Sequence, residues 1–155
     1  MEKEIKLSSL LKEKCIDLQI KGNTKKEVIE NLVELISQSK KLKNKKEFLK
    51  EIIKREKLGS TGIGGGVAIP HAKSKAVHSF VLGFARKDEG IDFGALDGEK
   101  TYLFFILASP MNEVGRHLKI LAEISRLIKD KFIVYRLKKA KDKKEILRII
   151  SLQES

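Results

Sequence analysis

The apolar positions of the chain change period several times, and each change marks an element. After an irregular or briefly helical start, Cys15-Ile-Asp-Leu-Gln-Ile20 alternates apolar and polar as a half-buried strand does, and Gly22-Asn23 ends it. Thr24 then caps a helix: Glu27 completes a T-x-x-E box, and Val28, Ile29, Leu32, Leu35 and Ile36 recur at helical spacing. Asn44 and Glu47 repeat the signal for a second helix, which carries Phe48, Leu49, Ile52 and Ile53 inward and stops near Gly59. Val67-Ala-Ile69 predicts a minimal strand. Phe80 to Ala85 and Tyr102 to Ala108 are apolar on both faces, as central strands covered by helices are, and Asp97-Gly98 predicts a turn between them. From Glu113 to Lys129, the stripe Val114, His117, Leu118, Leu121, Ile124 and Ile128 predicts an amphipathic helix. Two short helices finish the chain, one from Phe132 to Leu137 and one after an Asp142 cap with Ile146, Ile149 and Ile150 inward. Helices before, between and after a few strands predict a single α/β domain over residues 1–155: a small mixed sheet covered on both faces, an α/β/α sandwich.

A chain of 155 residues, 41% apolar, is long enough to bury one core without metal or disulfide staples. Cys15 is the only cysteine, so neither an internal disulfide nor a cysteine-based zinc site can form, which suits a reducing compartment. The longest apolar run, Leu103 to Ala108, is far short of the roughly 20 residues a membrane helix needs. A cytoplasmic location is therefore expected. With 33 Lys plus Arg against 21 Asp plus Glu, the formal charge of +12 attracts acidic partners. The lysines are spread along the chain rather than gathered beside aromatic residues, which argues against a stacking platform for nucleic acid.

The densest chemical signal is GSTGIGGGVAIPH, from Gly59 to His71. Glycines let backbone amides approach an anion closely, but two common phosphate loops fail here. Gly59 and Gly64 have the P-loop spacing, yet Gly65 stands where a lysine must reach the phosphates; the dinucleotide pattern from Gly62 and Gly64 ends on Val67 instead of glycine. Pro70 fixes its own backbone and biases Ile69 toward extended geometry, so the chain delivers His71 on a defined path. A histidine near its ordinary pKa of about 6.5 is largely neutral in the cytoplasm and is a competent nucleophile. If one ring nitrogen donates to a backbone carbonyl, the other stays unprotonated for attack. His117 lies on or beside the buried stripe of its helix, where a satisfied core histidine is the ordinary outcome, and His78 is an exposed approach to a strand. No His/Glu pair at metal-binding spacing supports a metal at His71 and His117.

The run Arg55-Glu56, then Ser60-Thr61-Gly62-Ile63-Gly64, then Gly66-Val67-Ala68-Ile69-Pro70-His71 resembles the enzyme IIA domains of the bacterial phosphoenolpyruvate-dependent sugar phosphotransferase system. It is most similar to the fructose/mannitol class, which includes the nitrogen-related regulatory form. The block from His117 to Leu127 matches that family's second conserved region, and the similarity covers nearly the whole chain. The resemblance implies a phosphoryl relay. The histidine-containing phosphocarrier protein would donate to His71, which would pass the group to a cysteine of an enzyme IIB component. His117 would orient or stabilise the phosphoryl group, Arg55 would offset its charge, and Ser60, Thr61, Gly62, Gly64 and Gly66 would form a phosphate loop. It also implies no cofactor, metal or nucleotide, no nucleic-acid partner, and contact with the membrane only through the transporter. The sequence ends at Ser155 without a fused IIB or membrane domain, so a free-standing chain is expected, serving a transporter made of separate chains or acting as a nitrogen-related regulator of partner proteins.

Overall fold

The computed structural model describes residues 5–154. Its first elements are a one-turn helix α1 (Leu7–Leu10) and strand β1 (Leu11–Asp17). The strand starts earlier and ends earlier than the alternation of Cys15 to Ile20 predicts. Its register against the neighbouring strand shifts between Leu11 and Ile16, so the period of two is broken by a bulge. As a result Leu11 and Ile16, five apart in sequence, bury into the same face of the sheet, while Cys15 takes the other.

Helices α2 (Lys25–Ser37) and α3 (Lys45–Lys57) begin where their caps predict. Thr24 Oγ1 accepts from Glu27 N at 3.1 Å, and Asn44 Oδ1 accepts from Glu47 N at 3.0 Å. Three short strands follow: β2 (Gly62–Gly64), β3 (Val67–Ala68) and β4 (His71–Ser74). Only β3 corresponds to a predicted strand. The long strands β5 (Val81–Ile91) and β6 (Thr101–Pro110) come next, then helices α4 (Val114–Ile128), α5 (Lys131–Lys139) and α6 (Lys143–Glu154). Asp97 and Gly98 do turn the chain, with Gly98 N bonded to Ala95 O, but inside a longer connection.

The sheet is mixed and six-stranded, in the order β1-β5-β6-β3-β2, with β4 beside β6 as well. Strand β5 runs antiparallel to β6, while β1 is parallel to β5 and both β3 and β4 are parallel to β6. Strands β3 and β4 therefore lie end to end along one edge of β6, Val67 opposite Leu103 and His71 opposite Leu107.

Alternation along β6 divides the interior into two cores. Leu103, Phe105 and Leu107 pack with Ile120, Ile124, Ile146 and Ile149 of α4 and α6; Phe104, Ile106 and Ala108 pack with Leu32, Ile36, Phe48 and Ile52 of α2 and α3. This is the expected sandwich of helices on both faces. Helix α4 is rotated from its predicted stripe: Ile120 and Leu127 are buried with His117, Ile124 and Ile128, while Val114 and Leu118 are exposed. Both rotations bring an apolar row inward, and the fit against β5 and β6 selects between them. Among the described residues no helix is long and apolar enough to cross a membrane.

Candidate functional site

Strand β4 carries two polar side chains to one face of the sheet. Ala72 belongs to the core under α2 and α3, so the flanking His71 and Lys73 project to the other face, toward α4. On β6 their partners in register are Leu107 and Ser109, which share that face. Helix α4 lowers His117 onto it, 4% exposed, with the two imidazole centroids 5.5 Å apart and tilted by 53°. The C-terminal turn of α3 closes the remaining side. The resulting cleft of about 360 Å³ is lined by Glu51, Lys54 and Arg55 of α3, His71 and Lys73 of β4, and His117 of α4, with Leu58, Leu118 and Leu121 on its apolar rim.

Hydrogen bonds fix the half-buried His71 in one tautomer. Its Nδ1 lies 2.7 Å from the carbonyl oxygen of Ile69, a group that only accepts, so Nδ1 carries the hydrogen and Nε2 keeps its lone pair. Burial lowers the pKa of His71, and the charges of Arg55 and Lys73 add to the effect, against the opposing pull of the Ile69 carbonyl and Glu56. The ring is thus neutral at neutral pH. For His117 burial is again the main cause, followed by the charges of His71 and Lys73, and its pKa falls to about 4. Its Nδ1 lies 2.6 Å from Ser109 Oγ. Two neutral imidazoles in a cleft edged by cations suit a group that is anionic and forms a bond to nitrogen.

Arg55 also has a structural task, since its Nη1 donates to Gly59 O at 2.9 Å and ties the end of α3 to the glycine segment. That segment does not line the cleft. Ser60 Oγ donates to Phe93 O at 2.8 Å and accepts from Gly62 N at 3.0 Å. Thr61 bonds through both its amide and its hydroxyl to the buried carboxylate of Glu56, which Lys25 neutralises at 2.7 Å. Gly64, Gly65 and Gly66 all have positive φ and make the tight connection between β2 and β3. Gly65 N is bonded to Asp97 Oδ2 at 3.0 Å, and Gly66 O accepts from Tyr102 N and Leu103 N. The structure therefore brings together His71, His117 and Arg55, and leaves Ser60, Thr61, Gly62, Gly64 and Gly66 in a hydrogen-bonded hairpin that braces the strand leading to His71. His78 is exposed and away from the cleft, and the described residues contain no group of three or more His, Cys, Asp or Glu arranged for a metal.

Lys73 and Ser109 were not among the sequence-predicted residues. The signal for Lys73 was its position two residues after His71, which becomes informative only once that segment is known to be a strand.

Fold and cleft together define a small α/β protein built around a facing pair of neutral imidazoles. The chain belongs to the family described as phosphoenolpyruvate-dependent sugar phosphotransferase system, EIIA 2, whose profile matches residues 9–153. Components of this type are phosphotransferases that carry phosphoryl groups. The chain is 35% identical to the nitrogen regulatory protein of Bradyrhizobium diazoefficiens, over 94% of its own length and 95% of that protein. It is 33% identical, over 95% of its length, to the fructose-specific EIIABC component of Bacillus subtilis, of which it spans only 23%. Among solved structures it superposes on the nitrogen regulatory protein IIA-Ntr of Neisseria meningitidis with a TM-score of 0.87 and 32% identity, covering 93% of this chain and 98% of that one.

Proposed function

We propose that His71 is the phosphoryl acceptor of a cytoplasmic relay, charged by the histidine-containing phosphocarrier protein and discharged onto a cysteine of an enzyme IIB component. In the first step the lone pair of His71 Nε2 forms a bond to phosphorus. The bond between phosphorus and the carrier's ring nitrogen breaks, and its electron pair returns to that nitrogen. No proton need move, because His71 Nδ1 holds its hydrogen on the Ile69 carbonyl throughout. Such transfer depends on in-line placement and on neutralising charge at the equatorial oxygens more than on covalent assistance. Arg55 and Lys73 supply that positive charge, and His117 lies where it can hydrogen-bond a phosphoryl oxygen.

The observation that carries this reading is the single committed tautomer of His71 beside a second neutral ring. The test is to incubate the protein with phosphoenolpyruvate, enzyme I and the phosphocarrier protein and to record the intact mass. One acid-labile phosphoryl group on the wild type and none on a folded His71→Ala variant is expected. Labelling of the variant would remove His71 from the role.

A second reading is favoured by the high coverage of the nitrogen regulatory relatives: the same phosphorylation state is read by regulatory target proteins rather than spent on transport. Phosphate on His71 would then change the charge of a docking face. Delivery of the phosphoryl group to a IIB cysteine distinguishes transport from this regulatory role.

A further inference from the structure

The hydroxyl of Ser109 is fully buried at the end of β6, on the face that looks toward α4, and its one hydrogen bond among the described residues is to His117 Nδ1 at 2.6 Å. Either group can donate in such a pair. Two considerations decide the direction. If His117 donated, the hydroxyl hydrogen of Ser109 would be buried without an acceptor, and a buried donor left unpaired is expensive. In addition, His117 would then turn a bare Nε2 toward a cleft in which His71 already presents a bare Nε2, leaving no ring donor for an incoming phosphoryl oxygen.

We infer that Ser109 is a positioning residue: its hydroxyl donates to His117 Nδ1, fixes the Nε2–H tautomer, and so makes His117 a hydrogen-bond donor to the phosphoryl group on His71. The inference rests on the proposed function for its purpose, while the direction of the hydrogen bond can be measured without it. The chain of polarity runs from Ser109 Oγ–H to His117 Nδ1, and from His117 Nε2–H to the phosphoryl oxygen. The two histidines thereby hold opposite tautomers. His71 keeps its hydrogen on Nδ1 because a carbonyl accepts it, and His117 keeps its hydrogen on Nε2 because a hydroxyl occupies Nδ1.

The test is two-bond nitrogen-15 to proton correlation on the unphosphorylated protein near neutral pH, with Ser109→Ala alongside. The wild type is expected to hold His117 as the Nε2–H tautomer. The variant is expected to mix tautomers and to accept the phosphoryl group about tenfold more slowly, the loss of roughly one hydrogen bond. A wild-type His117 with its hydrogen on Nδ1 overturns the inference. So does a variant that keeps the pure Nε2–H tautomer at the wild-type rate. If the variant does not fold, the wild-type spectrum decides alone. If the wild type accepts no phosphoryl group, the functional proposal fails while the spectrum still decides the direction of the bond.

Discussion

Burying a histidine costs stability when the ring is protonated. His117, with a pKa of about 4 against an ordinary value near 6.5, binds its proton more readily in the unfolded chain. Its contribution to stability is therefore complete above about pH 6.5 and is lost as the pH falls toward about 4. By pH 5 the loss is roughly 2 kcal/mol. Urea unfolding at pH 7 and at pH 5 checks this: the wild type should weaken by about that amount, and His117→Gln, which has no proton to gain, should weaken by clearly less. Equal acid sensitivity of the two would place the titrating group elsewhere. His71 is depressed for the same main reason and contributes with the same sign, but it is half-buried, so solvent reduces its share.

The glycine hairpin between β2 and β3 braces the strand that leads to His71 without entering the cleft. Gly65 has φ of 65° and nothing within 4 Å of the position a Cβ would take, so Gly65→Ala carries only the backbone penalty of the left-handed region. It should cost about 1 kcal/mol and leave phosphoryl acceptance unchanged, because the hairpin lies outside the cleft. A folded variant that no longer accepts phosphoryl would tie the hairpin to the site. Much of the element structure was legible in the sequence because caps act locally: Thr24, Asn44 and Asp142 each accept from an amide three residues on. The strands β2 and β4 were not legible. Gly62-Ile-Gly64 and His71-Ala-Lys-Ser74 carry no strand pattern of their own and are held extended by pairing with β3 and β6. Of the cleft, His71 is legible from the glycine run and Pro70 that deliver it, and His117 and Arg55 take their roles from the resemblance. Lys73 and Ser109 were hidden, since their meeting depends on the register of two strands distant in sequence.

Across the whole molecule, the formal charge of +12 meets the cleft at Lys54, Arg55 and Lys73, with Glu51 the only acidic residue lining it among the described residues. An acidic partner is steered to such a face, and steering is screened by salt. Raising the ionic strength from about 20 to about 300 mM should lower the second-order rate of phosphoryl acceptance several-fold while leaving the single-turnover rate at saturating carrier nearly unchanged. A salt-independent second-order rate would mean that the apolar rim of Leu58, Leu118 and Leu121 governs encounter. The proposed function rests on one central claim, that Nε2 of His71 carries the phosphoryl group while Nδ1 keeps its hydrogen. The most direct test is phosphorus-31 and nitrogen-15 NMR of the freshly phosphorylated protein. A single phosphoramidate at His71 Nε2 with Nδ1 still protonated is expected; phosphorus on Nδ1 of His71, or on His117, would contradict that claim.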